Sequence, residues 1–286
     1  MISSRRVWKL TNCAIPALLI ATTAMAQSKP GVSFDQTMVT VTTTRGRTDT
    51  TTTLLHTTSA GGDGRIDVEK GSFPNMGPFA SGPHAVMIMR DGGNEILFLN
   101  PDEKQYLSFK PIAMMEGMQK MLEGMGGSMS FDTAGTQLSL DSVGPGPSID
   151  GHPTLTYRLR TAMRMTMSMM GQSNVVDNQA SQEIQTATDL GDFAGVASMN
   201  RFAELTQAMG FPKAYFENLA ATRRRIRGFP LRAVTHTTSS LNGIARTTDQ
   251  TIETRNVKRL AVPDSLFVVP ADYKPVTMPM PGMPAR

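Results

Sequence analysis

The chain has 286 residues, of which 18% are charged and 6% aromatic, and its formal net charge is +4. The first 26 positions hold three basic residues, Arg5, Arg6 and Lys9, and no acidic one, so the rest of the chain carries 25 basic and 24 acidic residues. This near balance argues against nucleic acid as a partner, because nucleic-acid-binding proteins present strongly basic surfaces. The one cysteine, Cys13, lies in the same leading stretch, so the rest of the chain has neither a disulfide nor a thiolate metal site.

The first 26 residues have the organisation of a secretory signal peptide. An apolar stretch from Ala14 follows the basic residues, and Ala24-Met25-Ala26 has the small-residue pattern of a cleavage site. The apolar stretch, of roughly 13 residues, is too short to span a bilayer as a helix. We therefore predict a secreted protein, periplasmic or extracellular, whose mature chain begins near Gln27 and is soluble after cleavage.

Alternation of apolar and polar residues dominates the sequence after residue 36 and predicts strands. Thr37–Thr44 and Thr50–His56 flank Arg45-Gly46-Arg47 as a hairpin. A second hairpin turns at Asp91-Gly92-Gly93, because Asp-Gly supplies the positive φ of a tight turn. Further strands are predicted at 136–143, 154–169, 182–188, 231–239 and 244–257, with a break at Gly144–Pro147 and a short last strand at Leu266–Val269.

Three segments have helical spacing of apolar residues, namely Pro111–Glu123, Phe193–Met209 and Pro212–Arg227. With roughly ten or eleven strands, they predict an α+β fold, a large curved antiparallel sheet with about three helices on its concave side. We predict one domain over residues 27–276. Residues 277–286 contain three prolines and are predicted to be a disordered tail.

The strand that begins near Thr154 is strongly two-sided. Its odd positions are apolar and its even positions carry arginine and hydroxyl groups, which is typical of a half-buried antiparallel strand. The methionines of this face, and those of the segment that starts at Pro111, are the candidate lining of an apolar ligand cavity, because methionine adapts to variable apolar partners. The candidate residues are Leu155, Tyr157, Leu159, Met163, Met165, Met167, Met169, Met114, Met118 and Met121. Ordinary packing in the core is the competing interpretation.

Four segments resemble a bacterial secreted family of unknown function. They are ILFLNPDEKQYLSF, IDGHPTLTYRL, GFPLRAVTHTT and KRLAVPDSLFVVPADYKPV, and they cover, in order, most of the mature chain. The positions that match the family pattern include Gly151, Tyr157, Asp264 and Phe267. The family resembles the half-open β-barrel of the lipoprotein carriers LolA and LolB and of the LppX-like lipoproteins. This resemblance implies an apolar cavity that holds an acyl chain or another lipid.

The other polar clusters have simpler interpretations. The four histidines are far apart in sequence, and Asp63, Asp67 and Glu69 lack the spacing of a calcium loop, so we predict structural histidines and a solvated turn. Arg223, Arg224, Arg225 and Arg227 suit either an anionic envelope surface or a helix C-terminus that ends at Gly228. Catalytic templates such as G-x-S-x-G and the Walker loop are missing, which predicts a protein that is not an enzyme and uses no cofactor.

Three functions remain open at this point. The first is a non-enzymatic secreted or periplasmic protein that binds a lipid or another apolar ligand. The second is an envelope protein that binds Cu(I) through the methionines at 163, 165 and 167, since thioether sulfur suits this soft ion. The third is a structural or interaction protein of the envelope, in peripheral contact with it and without a small ligand.

Overall fold

The computed structural model describes residues 28–73, 84–111, 126–169, 172–192 and 213–276, together with residues 113, 117, 120 and 124. The strands in the first part of the chain are β1 (Ser28–Thr44), β2 (Arg47–Ala60), β3 (Asp63–Lys70), β4 (Val86–Arg90), β5 (Glu95–Asn100) and β6 (Gln105–Phe109). Those in the second part are β7 (Ser128–Ile149), β8 (His152–Met169), β9 (Gln172–Ala187), β10 (Phe229–Leu241), β11 (Ile244–Pro263) and β12 (Lys274–Val276). Among the described residues, the helix that is described without a gap is α1, which spans Lys213–Arg223.

The twelve strands form one open sheet in the order β12-β6-β5-β4-β3-β2-β1-β11-β10-β9-β8-β7. Chain neighbours pair antiparallel from β1 to β6 and from β7 to β11, and β1 pairs with β11 from Ser28 opposite Pro263 to Thr44 opposite Arg246. The exception in direction is β12, which pairs with β6 in parallel. The middle of the sheet therefore joins the first and last long strands of the described chain.

The predicted α+β class is wrong, because the described chain is nearly all sheet. The strands are longer than predicted, and β9 begins ten residues before the predicted start at Gln182. Of the predicted helices, Pro212–Arg227 is present only as α1, and Phe193–Met209 lies outside the described residues. Between Pro111 and Glu123, the described positions 111, 113, 117 and 120 are helical.

Two further element predictions are wrong for a local reason. The Gly144–Pro147 stretch does not end a strand, since β7 runs through it with shifts in register at Ser142/Gly144 and Gly146/Ile149. An edge strand tolerates proline, because one side of its backbone makes no ladder hydrogen bonds. Near the C-terminus, Asp264–Phe267 is a 3-10 turn where the start of a strand was predicted.

Three groups of buried apolar side chains hold the sheet. Two of them lie on opposite faces of the half that contains β3–β6, one around Phe98 and the other around Ile88 and Leu97. The second group is covered by Phe267 and the segment that follows it. The third group joins β1, β9 and β10 through Val32, Phe34, Ala187, Phe229 and Leu231. The rings of Phe34 and Phe229 meet edge to face, with their centroids 5.2 Å apart.

The outer parts of the long strands have no such core. From Asp35 to Thr44 in β1, and from Ile244 to Glu253 in β11, every residue is half-buried or exposed. The same is true of Arg232–Leu241 in β10 and of residues 172–183 in β9. We call these parts of β1, β9, β10 and β11 the outer sheet. The described side chains of this layer are partly or fully exposed to solvent on both faces.

The described chain contains no helix that is long and apolar enough to cross a membrane. The predicted signal peptide, residues 1–26, and the predicted tail, residues 277–286, lie outside the described residues.

Candidate functional site

A cleft of about 280 Å³ lies where β1, β2 and β11 meet the turn between β2 and β3. Its apolar lining comes from Val32, Ala60, Met89, Phe229 and Leu260, and its polar lining includes Thr57, Asp192 and Arg259. This volume is at the lower end of the range for ligand pockets, roughly 300–1,000 Å³. The cleft therefore suits a small ligand or one end of a longer chain.

Glycine makes the space in this cleft. Gly31, Gly61, Gly62 and Gly64 all line it, and none of them contributes a side chain. A Cβ atom on Gly31 would lie 2.5 Å from Cγ2 of Val262 and 2.6 Å from the carbonyl oxygen of Ser59. Such distances are far inside van der Waals contact, so the close approach of β1 to its neighbours requires glycine at this position.

The hydroxyl group of Thr57 is the unusual feature of the cleft. Thr57 is 6% exposed, and its Oγ1 is buried without a hydrogen-bond partner among the described residues. A buried polar atom without a partner costs about 1–3 kcal/mol. Thr53, four residues earlier on the same strand and face, is equally buried, but its Oγ1 donates to the carbonyl oxygen of Ser72 at 3.1 Å. The two threonines differ in that one hydrogen bond.

Charged groups border the cleft but are already paired. The guanidinium of Arg259 donates to the carbonyl oxygen of Leu190. Asp192 accepts hydrogen bonds from the backbone N–H of Gly228 at 2.7 Å and from Arg227 at 3.2 Å. Among the polar side chains that line the cleft, Thr57 is the one whose buried oxygen has no hydrogen-bond partner in the described chain.

Seven of the ten predicted cavity residues belong to β8. Tyr157 and Leu159 are buried, and Leu155, Met163 and Met165 are half-buried. Met167 and Met169 belong to β8, but their side chains, like Met114, Met118 and Met121, lie outside the described residues. None of the five whose side chains are described, Leu155, Tyr157, Leu159, Met163 and Met165, lines the cleft.

Across the sheet, the methionine face of β8 changes character row by row. The row of Tyr157 is apolar and continues through Ile184, Ala233, Ile252 and Met38. The next row on this face pairs Leu159 with Gln182, Thr235, Gln250 and Thr40. In it the amide of Gln182 donates to Oγ1 of Thr235 at 3.1 Å. Beyond the Tyr157 row, the face of the outer sheet is therefore rich in amides and hydroxyls.

The predicted arginine candidates fall at and after the end of α1. Arg223 is its last residue, and Arg227 pairs with Asp192. Gly228, at φ 91°, is not the residue that ends the helix, because α1 stops five residues before it. Its positive φ belongs to the entry into β10, where a Cβ atom would lie 2.7 Å from the carbonyl oxygen of Ala187.

Three of the four histidines pair with an aspartate through Nδ1. The distances to the carboxylate are 2.7 Å for His56 and Asp35, 2.7 Å for His152 and Asp189, and 2.6 Å for His236 and Asp249. The hydrogen bond from His152 holds the pKa of Asp189 below its ordinary value. The pKa of Asp35 is lowered first by a hydrogen bond from Asn256 and then by His56.

Sequence reasoning missed Thr57 and the surroundings of His56. A threonine within a threonine-rich strand gives no sign that its hydroxyl is unpaired. The run Gly61-Gly62-Asp63-Gly64 was a usable signal, because clustered glycines mark close backbone approach as well as turns. Asp35 and His56 are 21 residues apart, and only the pairing of β1 with β2 brings them together.

Comparison with solved structures gives distant likenesses. PNGF-II is 12% identical with a TM-score of 0.28 over 86% of this chain, which spans about a third (32%) of the PNGF-II chain. A putative outer membrane lipoprotein-sorting protein domain from Vibrio parahaemolyticus is 8% identical with a TM-score of 0.24, over 79% of this chain and 85% of that one. A DUF1329 family protein from Desulfovibrio piger is 9% identical with a TM-score of 0.18, over 84% and 90% of the two chains.

The neighbours thus include a lipoprotein-sorting domain and a DUF1329 family protein. With TM-scores of 0.28 and below, we base no functional inference on these likenesses. No family model matches the sequence, and a search of the curated proteins finds no match.

Proposed function

We propose that this chain is a non-enzymatic protein of the bacterial cell envelope that binds a small, largely apolar ligand with one polar group. The observation that carries the proposal is the cleft at Val32, Thr57 and Phe229, with its unpartnered buried hydroxyl. Apolar walls with few polar groups are the usual construction of a ligand pocket, in which the polar groups orient the ligand. The predicted signal peptide supports the envelope location.

The LolA-like resemblance of the sequence suggests a lipid as the ligand. The size of the cleft restricts this suggestion to a short acyl chain or to one end of a long one. In this arrangement the apolar part lies against Val32, Met89 and Phe229, and a carbonyl or hydroxyl oxygen accepts a hydrogen bond from Thr57. The β8 methionine face is then a neighbouring surface on the same sheet.

The test replaces the free hydroxyl by a methyl group in Thr57→Val. We expect this variant to be as stable as the wild type or up to about 2 kcal/mol more stable, because an unsatisfied group is removed. The matched control Thr53→Val removes a hydroxyl that is already bonded, and should lower the free energy of unfolding by about 1–2 kcal/mol. Urea unfolding of the ligand-free protein measures both changes.

Binding is measured on the same proteins with octanoate and decanol as probes, by titration calorimetry and native mass spectrometry. We expect Thr57→Val to weaken binding about tenfold, the effect of losing roughly 1.4 kcal/mol. Thr53→Val should bind as the wild type does. Equal affinity of the wild type and Thr57→Val, or no binding of either probe, would contradict the proposal.

A further inference from the structure

On the face of the sheet opposite the cleft, three potential metal ligands come together from three adjacent strands. They are Asp35 of β1, His56 of β2 and Glu69 of β3, and one ligand atom of each lies within 4.8 Å of the others. Asp35 stands directly opposite His56 in the register of β1 and β2. Glu69 joins them next to the register shift between β2 and β3 at Leu54/Leu55.

We propose that Asp35, His56 and Glu69 form a binding site for a divalent transition-metal ion such as Zn²⁺. Nδ1 of His56 and Oδ1 of Asp35 are 2.7 Å apart and share one proton. An ion that replaces this proton would contact both atoms after a small movement, and the carboxylate of Glu69 supplies the third ligand. Water would fill the remaining positions, as in zinc sites with three protein ligands.

Outer hydrogen bonds already hold two of the ligands in orientation. Oγ of Ser33 lies 3.0 Å from Nε2 of His56, so it accepts the Nε2 proton when Nδ1 binds the ion. The side-chain amide of Asn256 donates to Oδ2 of Asp35 at 2.7 Å, which leaves Oδ1 for the ion. Partners of this kind fix the tautomer and rotation of metal ligands and commonly change metal affinity by about 10–100-fold.

Charge and donor type select the class of ion. With His56 neutral, the three groups carry two negative charges, which a dication neutralises. One imidazole and two carboxylates suit Zn²⁺, whereas Ca²⁺ prefers six to eight oxygen ligands. The site contains no sulfur, so it is separate from the Cu(I) alternative at the β8 methionines.

The chain contains its own control. His236 and Asp249 form a pair of the same geometry, with Nδ1 and Oδ1 2.6 Å apart, on β10 and β11. In the part of the chain that the structure describes, only the His56 pair belongs to a group of three ligands. If a histidine–aspartate pair alone bound the ion, both places would bind it. If a third ligand is required, only the His56 site would bind the ion.

The experiment titrates Zn²⁺ into chelator-treated protein by calorimetry and records the visible spectrum of the Co²⁺ form. We expect one tight site in the wild type. Glu69→Gln and His56→Ala should each lower the affinity at least tenfold, and His236→Ala should leave it unchanged. Circular dichroism checks the fold of each variant. Glu69 is exposed, so Glu69→Gln keeps the test decisive if His56→Ala unfolds.

Three results would overturn the proposal. They are the absence of Zn²⁺ binding, equal binding in Glu69→Gln and the wild type, and an equal loss of affinity in His236→Ala and His56→Ala. None of these results depends on the cleft, so the metal site and the proposed ligand site fail or hold separately.

Discussion

Single residues decide where this backbone changes direction, and Gly228 is the sharpest case. Its φ of 91° lies in the region that glycine alone adopts without strain, and its surroundings leave no room for a side chain. Its N–H also donates to Asp192 beside the cleft. The residue therefore fixes both the entry of β10 and one border of the cleft.

We expect Gly228→Ala to lower the free energy of unfolding by about 1–3 kcal/mol from backbone strain, and further through the contact with the carbonyl of Ala187. Gly243→Ala is the control, since Gly243 also has a positive φ, at 79°, but its Cβ would meet nothing within 4 Å. Gly243→Ala should lower the free energy of unfolding by less than Gly228→Ala does, with a difference of at least about 1 kcal/mol. Chemical denaturation of both variants measures the difference, and equal losses would show that the contact has no effect.

The arginines of β8 show that strand pairing can balance charges that look unpaired in the sequence. In the sequence they form a basic face, but in the sheet Arg158 pairs with Glu183, Arg160 with Asp141 and Arg164 with Asp177. Each acidic partner comes from a neighbouring strand. The face is therefore a set of cross-strand ion pairs in which these three positive charges are balanced, and exposed pairs of this kind contribute little stability each.

At the scale of elements, the C-terminal strand β12 is held to the sheet by a small number of polar contacts. The backbone N–H of Lys274 donates to the carbonyl oxygen of Lys104 at 2.8 Å, and the ammonium of Lys104 pairs with Asp272 at 2.7 Å. The hydrogen bond from Lys104 is the main reason that the pKa of Asp272 lies below its ordinary value. A carboxylate with a lowered pKa in the folded state stabilises the fold while it is ionised.

This contribution is fully present above the ordinary aspartate pKa of about 3.9 and is lost as the pH falls through the lower pKa of the folded state. We expect Asp272→Asn to be less stable than the wild type at neutral pH and to reach the same stability at strongly acidic pH. Urea unfolding at a series of pH values measures the free energy of unfolding of both proteins. The control is Asp102→Asn, at a carboxylate without an ion pair in the described chain, and its free energy of unfolding should change with pH as that of the wild type does. A difference between Asp272→Asn and the wild type that stays constant with pH would contradict the expectation.

The sequence predicted the strands well where a turn marks their ends and less well where no turn or alternation does. The hairpins at Arg45-Gly46 and Asp91–Gly93 are present, and β11 begins at its predicted start, Ile244. Glycines with positive φ, namely Gly46, Gly92 and Gly243, mark these turns, so the sequence pattern reports the structure there. The first ten residues of β9 are half-exposed on both sides and give no alternation, which is why they escaped prediction.

Prolines and glycines caused the opposite error, because they predicted a break where a strand continues. Gly144–Pro147 has the composition of a break, but β7 is an edge strand and shifts in register absorb it. The cleft and the proposed metal site were harder still, because both depend on strand pairing, such as that of Asp35 with His56, whose register no local pattern reports. Sequence reasoning thus located elements better than it located contacts between them.

At the scale of the whole molecule, the sheet has a packed part and a wet part. Ile88, Leu97 and Leu99 are at most 2% exposed in the packed half, whereas the outer sheet contains no buried side chain among its described residues. Local stability follows burial, so the wet part should open in fluctuations that leave the core closed.

We expect native-state hydrogen exchange to be faster for the peptide covering residues 236–249 than for the one covering residues 86–99. The first spans the ends of β10 and β11 in the outer sheet, and the second spans β4 and β5. Both are antiparallel hairpins, so burial is the main difference between them. Mass spectrometry of exchanged peptides measures the rates, and equal protection would show that the sheet opens only as one unit.

The two outermost strands set how far this sheet extends. A sheet can grow into a fibre when another chain pairs with an exposed edge strand, and natural proteins limit such growth with short edge strands and prolines. Here one boundary is β12, only three residues long, and the other is β7, where Pro145 and Pro147 offer no N–H to an incoming strand. The same prolines that look like an interruption in the sequence therefore remove pairing groups from the end of β7 that lies beside Thr154 and Leu155 of β8.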